Sequence, residues 1–157
     1  MLRAAHLVLL RVYQHLPRRL RLAIIHAMAP SYTVGAICVI ERDDGRVLVV
    51  RHSYRTGWGF PGGLLEKGEE VQDGACREAI EEVGLAIELV GEPAVVVAPD
   101  PRRVDVIFAA RPAPGADPDA VRPMSPEIVE VRWAPRDDLP DLQHEAAGGL
   151  RALARRA

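Results

Sequence analysis

Glu78, Glu81 and Glu82 crowd one short stretch whose spacing predicts a helix from about Glu70 to Val83. At about 100° per residue, Glu78 and Glu82 lie about 40° apart and Glu81 about 60° further round, so three carboxylates share one arc. Val71, Ala75, Cys76, Ala79, Ile80 and Val83 fill the neighbouring half of the wheel, which is expected to be buried. Like charges at i,i+4 and i,i+3 repel by about a few tenths of a kcal/mol on an exposed helix. Glu81 and Glu82 also precede Gly84, at the negative end of the helix dipole, where Lys or Arg would be favoured. A face chosen for solubility alone has no reason to gather acids there. A divalent cation makes the arrangement favourable, because a hard ion such as Mg²⁺ takes carboxylate oxygens together with water and substrate phosphate.

Upstream, residues 51 to 60 combine basic and aromatic side chains. Tyr54 or Trp58 can stack on a base, and Arg51 or Arg55 can pair with phosphate. The competing expectation packs Trp58 and Phe60 beneath the loop that ends in Pro61-Gly62-Gly63. His52 is read as a lone packing histidine on a strand.

Gly63, five residues to Glu69, then seven to Arg77-Glu78-Ala79-Ile80-Glu81-Glu82-Val83-Gly84-Leu85, fit the pattern G-x5-E-x7-R-E-U-x-E-E-x-G-U at every fixed position, with Ala79 at the small end of the apolar U set. On these residues the chain resembles the Nudix hydrolases over about residues 31 to 145. The resemblance implies an α/β/α sandwich with a mixed β-sheet. It also implies Mg²⁺- or Mn²⁺-dependent hydrolysis of a nucleoside diphosphate linked to another moiety, a small-molecule nucleotide substrate. By position, Glu78, Glu81 and Glu82 would be metal ligands, with the Gly63 carbonyl a further one. Glu69 and Arg77 would brace the loop. The family draws its general base from this pattern, the Nudix box, or from a later loop, and here Glu127 is the later candidate.

Subfamily marks are mostly absences. Pro61-Gly62-Gly63 departs from the Pro-Gln-Gly-Gly form of RNA 5′-pyrophosphohydrolases, and the preceding stretch lacks the arginine placement of coenzyme A pyrophosphatases. No tyrosine follows the box at the distance found in many dinucleoside polyphosphate hydrolases. Pro101 stands 16 residues beyond Leu85, a placement similar to that in ADP-ribose pyrophosphatases. The expected substrate is therefore of the ADP-ribose or nucleotide-sugar type. The alternatives are a triphosphate-cleaning pyrophosphatase and a non-catalytic nucleotide sensor, the latter disfavoured by the intact box.

The elements that must position these groups are legible in outline. Tyr32 to Ile40 and Val47 to Val50 flank Asp43-Asp44-Gly45 and read as a β-hairpin. Ile87 to Ala98, Arg103 to Ala110 and Glu127 to Trp133 read as strands, Arg111 to Pro126 as a mobile flap or disordered loop, and Leu139 to Arg156 as a helix interrupted at Gly148-Gly149. Residues 31 to 157 form the expected α/β domain. Residues 1 to 30 read as a helical arm split by Pro17, with Leu9, Val12, Tyr13 and Leu16 at helical spacing.

Composition narrows the setting. The 157 residues suit one domain, and 48% hydrophobic content is ample for its core. A net charge of −2 gives no global basic field, so no nucleic-acid partner is expected. The basic residues are 19 Arg and the single Lys67. Residues 1 to 40 hold Arg3, Arg11, Arg18, Arg19 and Arg21 and no acid. So basic an arm suits packing on the body or a second copy, or peripheral contact with an anionic membrane. Its longest aliphatic run, Leu7 to Leu10, is too short for a signal peptide or a span. Cys38 and Cys76 alone make no disulfide framework, which points to a reducing cytoplasm.

Overall fold

Pro17 separates two helices, α1 (Leu2–His15) and α2 (Arg18–Met28), in the computed structural model, which describes residues 2–156. Pro17 caps the second helix, accepting from the Leu20 and Arg21 N–H groups at 2.9 and 3.1 Å. The side chains of residues 2–6, 8 and 9, including Arg3 and Leu9, lie outside the described residues. Leu7, Leu10, Val12, Leu20, Leu22, Ile25 and Met28 are exposed. Among the described residues, no helix is long and apolar enough to cross a membrane. The chain divides into two units after Tyr32.

In the second unit, β1 (Thr33–Ile40), β3 (Gly62–Leu64), β4 (Ile87–Pro99) and β5 (Arg102–Pro112) form a sheet in the order β3-β1-β5-β4. The β1–β5 pairing is parallel and the others antiparallel, so the sheet is mixed. β2 (Arg46–His52) pairs antiparallel with β6 (Ile128–Pro135) in a separate two-stranded sheet. Strand alternation then divides the core. Ala36, Cys38, Ile40, Leu48 and Val50 pack with Ala75, Ala79 and Val83 of α3 (Val71–Val83). Ile37, Val39, Val47 and Val49 pack with Ala146, Leu150 and Leu153 of α4 (His144–Ala154). Helices thus cover both sides of the strands, an α/β/α sandwich.

Several expectations change. The Asp43-Asp44-Gly45 turn exists, but its flanking strands do not form a hairpin, since beyond one Glu41–Val47 bridge they enter different sheets. Both strands are buried on both faces, covered by α3 on one side and α4 on the other, and each gains a full ladder from a partner distant in sequence, β1 from β5 and β2 from β6. The helix begins at His144 rather than Leu139 and runs through Gly148-Gly149 unbroken. Gly149 is there for space: a Cβ on it would lie 3.1 Å from Ile107 Cγ1. Ile80 is 52% exposed while Glu82 is 5% exposed, because in projection Glu82 falls between Val71 and Ala75 and Ile80 lies at the far rim. Residues 111–126 are tied down: Trp133 Nε1 donates to the Pro118 carbonyl at 2.8 Å, and Ala116 and Val121 pack on the core.

Candidate active site

Two glycines bring the loop before α3 close to its neighbours. Gly62 has φ +150, and any Cβ there would collide with the Ala36 carbonyl of β1. A Cβ on Gly63 would collide with the Glu78 carboxylate, so that side chain lies directly against the Gly63 backbone. At the far end of α3, Gly84 is left-handed at φ 72, and the Gly84 and Leu85 N–H groups return to the Ile80 and Ala79 carbonyls. The helix is thereby held against the glycine loop at Glu78 and closed at its C-terminus by Gly84.

Arg77 organises the acids. It binds Glu69 through two parallel bonds, Nε to Oε1 at 2.7 Å and Nη2 to Oε2 at 3.0 Å, and Nη2 also donates to the Leu64 carbonyl at 3.2 Å. Its Nη1 donates to Glu78 Oε1 at 2.9 Å and Glu81 Oε2 at 3.0 Å. The Arg77 guanidinium, with the Glu66 N–H, holds the Glu69 carboxyl down to about 2. Glu78 moves the other way, since burial raises its pKa and Glu82 and Glu81 add to the rise against the opposing pull of Arg77. Glu82 is buried, with Oε2 accepting from the Gly62 N–H at 2.9 Å and Oε1 3.7 Å from His52 Nε2.

These groups open on a cavity of about 690 Å³. Gly63, Arg77, Glu78, Glu81 and Glu82 line it together with Tyr54, Arg55, Pro101 and Glu127. Tyr54 Oη donates to Glu127 Oε2 at 3.1 Å, and burial, then that bond, raises the phenol pKa. Arg55 lies 5.5 Å over the Tyr54 ring.

Two residues expected to touch substrate are not among those lining the cavity. Arg51 pairs with Glu130 at 2.7 Å, carried there by the alternation that turns His52 the other way. Trp58 packs with the α4-side core beneath Arg132, as the competing expectation had it, and Phe60 is buried. His52 was read only as a packing residue, yet it is 8% exposed, lines the cavity and meets Glu82. The signal was available, since the period that buries Leu48 and Val50 carries His52 inward. His52 Nδ1 and Ser125 Oγ are buried in this wall and have no protein hydrogen-bond partner among the described residues.

Among the described residues, no three of His, Cys, Asp and Glu already converge as a metal cage. Arg77 Nη1 is shared between Glu78 and Glu81, and Glu82 is held by Gly62. The donor set nonetheless fits a hard divalent cation. It is all oxygen, it clusters several carboxylates, and Glu78 is pushed toward its neutral form by burial among acids.

A family model described as the NUDIX domain matches residues 31–156. A MutT-like protein from Streptomyces ambofaciens is 30% identical over 116 residues, covering 74% of this chain and 72% of that protein. The 8-oxo-dGDP phosphatase NUDT18 of Homo sapiens is 30% identical over 115 residues, covering 69% of this chain; the chain spans 33% of that protein. The crystal structure of an ADP-ribose pyrophosphatase from Streptococcus suis aligns with a TM-score of 0.65 at 26% identity, covering 81% of this chain and 94% of the other. With the box intact, its acids on one cavity and the family model spanning the second unit, the chain belongs to the Nudix hydrolase family.

Proposed function

We propose that the chain is a divalent-metal-dependent pyrophosphohydrolase that cleaves a nucleoside diphosphate linked to a sugar-like group, of the ADP-ribose type, by attack of water on phosphorus. The observation that supports this best is the meeting of Glu78, Glu81 and Glu82 with Tyr54, Arg55 and Pro101 on one cavity. Glu78, Glu81 and Glu82, with the Gly63 carbonyl, would hold Mg²⁺ or Mn²⁺. The bound ion would neutralise phosphoryl charge and lower the pKa of a water.

The chain's own groups supply orientation and proton transfer. Glu69 locks Arg77, so Arg77 holds Glu78 and Glu81 in reach of the cavity. The Gly62 N–H fixes Glu82. Tyr54 Oη occupies Glu127 Oε2 and leaves Oε1 to take the proton of the attacking water. Tyr54, with Arg55 over its ring, is the surface on which the nucleobase stacks.

A second reading, cleavage of an oxidised deoxynucleotide, is favoured by the likeness to a protein named 8-oxo-dGDP phosphatase. One assay separates the two. The purified chain is incubated with Mg²⁺ or Mn²⁺ and ADP-ribose, nucleotide sugars, dinucleoside polyphosphates, 8-oxo-dGDP and nucleoside triphosphates. The proposal expects ADP-ribose or a nucleotide sugar to give two monophosphates, with ¹⁸O from water on a single phosphorus. A triphosphate or 8-oxo-dGDP cleaved about tenfold more efficiently would replace the sugar-linked substrate.

A further inference from the structure

We propose that Arg103, aimed by buried Asp105 across Gly35, binds the phosphoryl oxygens of the substrate's diphosphate. This rests on reading the cavity as a diphosphate site and adds a residue to it. Arg103 and Asp105 are two apart on β5 and so project from the same face. Their parallel partners on β1 are Thr33 and Gly35. Arg103 Nε donates to Asp105 Oδ1 at 2.6 Å, and Asp105 is 6% exposed. Among the described residues, neither Nη of Arg103 bonds to a protein acceptor. A carboxylate that grips a guanidinium through Nε alone fixes its direction and leaves the outer fork for a ligand.

Gly35 shows where the fork lies. A Cβ there would stand 2.8 Å from Asp105 Oδ1, 3.1 Å from Arg103 Nη2 and 3.3 Å from the Gly63 carbonyl oxygen. The space of one absent methyl group is therefore shared by the Arg103 fork and the carbonyl of the glycine on which Glu78 rests. Gly35 has no positive φ, so the requirement is for room rather than backbone freedom.

Charge supports the same assignment. The acids along the cavity repel a diphosphate, and Arg77 is already engaged by Glu69, Glu78 and Glu81. Arg55 is spread over Tyr54, with Gln143 Oε1 3.5 Å from its Nη1. Arg103 lines the cavity with its fork uncommitted. Two planar donors beside a phosphoryl group match the geometry of its oxygens. The ordinary alternative, a purely structural ion pair, predicts that only stability depends on Arg103.

The test is calorimetric titration of the full chain with ADP and with adenosine, in EDTA, for the wild type and R103Q/D105N. The double variant is neutral and avoids stranding the buried carboxylate; R103K and G35A serve if it does not fold. Wild type should prefer ADP to adenosine. Each variant should lose about tenfold or more of its ADP affinity, with adenosine affinity unchanged. With the best-cleaved compound of the panel, KM should rise by a similar factor and kcat change less. A folded variant with wild-type ADP affinity, or a wild type that does not prefer ADP, overturns the proposal. Loss of ADP affinity in a chain that cleaves nothing would uphold Arg103 and sink the hydrolase reading; cleavage of ADP-ribose with unchanged ADP affinity would do the reverse.

Discussion

Arg77 holds Glu78 and Glu81, which a cation would also claim, so this acid cluster has two ways of being neutralised. Glu82 has less freedom, since it is buried and its carboxylate accepts the Gly62 N–H. Glu82→Gln keeps an acceptor for that bond while removing a charge. The fold should survive, and kcat should fall by about a hundredfold or more. Circular dichroism and steady-state rates at saturating Mg²⁺ check this, and near-native turnover would remove Glu82 from the metal-binding set. Mg²⁺ should also raise the Tm of the wild type more than that of the variant. Glu69 makes a different prediction. Its carboxyl lies below its ordinary value of 4.5, at about 2, chiefly through Arg77. The folded state therefore prefers the ionised form, and the resulting stability is complete above 4.5 and lost as pH falls through about 2. The Tm gap between wild type and Glu69→Gln should be constant above about pH 5 and close below it, as thermal melts across that range would show.

At the scale of elements, α3 is closed at its C-terminus by a left-handed glycine. Gly84→Ala places a Cβ at φ 72 and 3.3 Å from Met124 Cγ. It should destabilise the fold by about 1–2 kcal/mol without touching a carboxylate, measured by urea unfolding. This helix and its glycine terminus were readable in the sequence because period, cap and acid placement agreed. The α/β class and the box acids were readable for the same reason. Other features depend on partners distant in sequence. Nothing between Thr33 and His52 announces that β1 will pair with β5 and β2 with β6. Arg51 and His52 exchange roles once strand alternation is placed in three dimensions. Trp58 offered two defensible sides, and the α4-side core took it. That Asp105 anchors Arg103 shows only in the folded strand, where the pair lies beside Gly35.

For the whole molecule, every box residue lies in the unit that begins after Tyr32. Deleting residues 1 to 29 should therefore leave kcat and KM within about twofold, provided the truncated chain stays soluble. It should alter oligomeric state or binding to anionic vesicles, because the arm carries basic residues and exposed Leu and Ile side chains. Light scattering, vesicle sedimentation and the ADP-ribose assay together check this; loss of turnover in a folded truncation would assign the arm a part in the site. The segment after β5 bears on the same site from another direction. Arg122 and Met124 donate backbone N–H groups to the Val83 and Glu82 carbonyls, occupying helix-end acceptors that would otherwise be left open. Gly115, by contrast, faces open space. Inserted residues near Gly115 can bulge outward, whereas one added between Arg122 and Met124 would shift the clasp on the turn that carries Glu82. The crest of the loop thus tolerates a change of length, while its descending limb sets where the end of α3, and Glu82 with it, comes to rest.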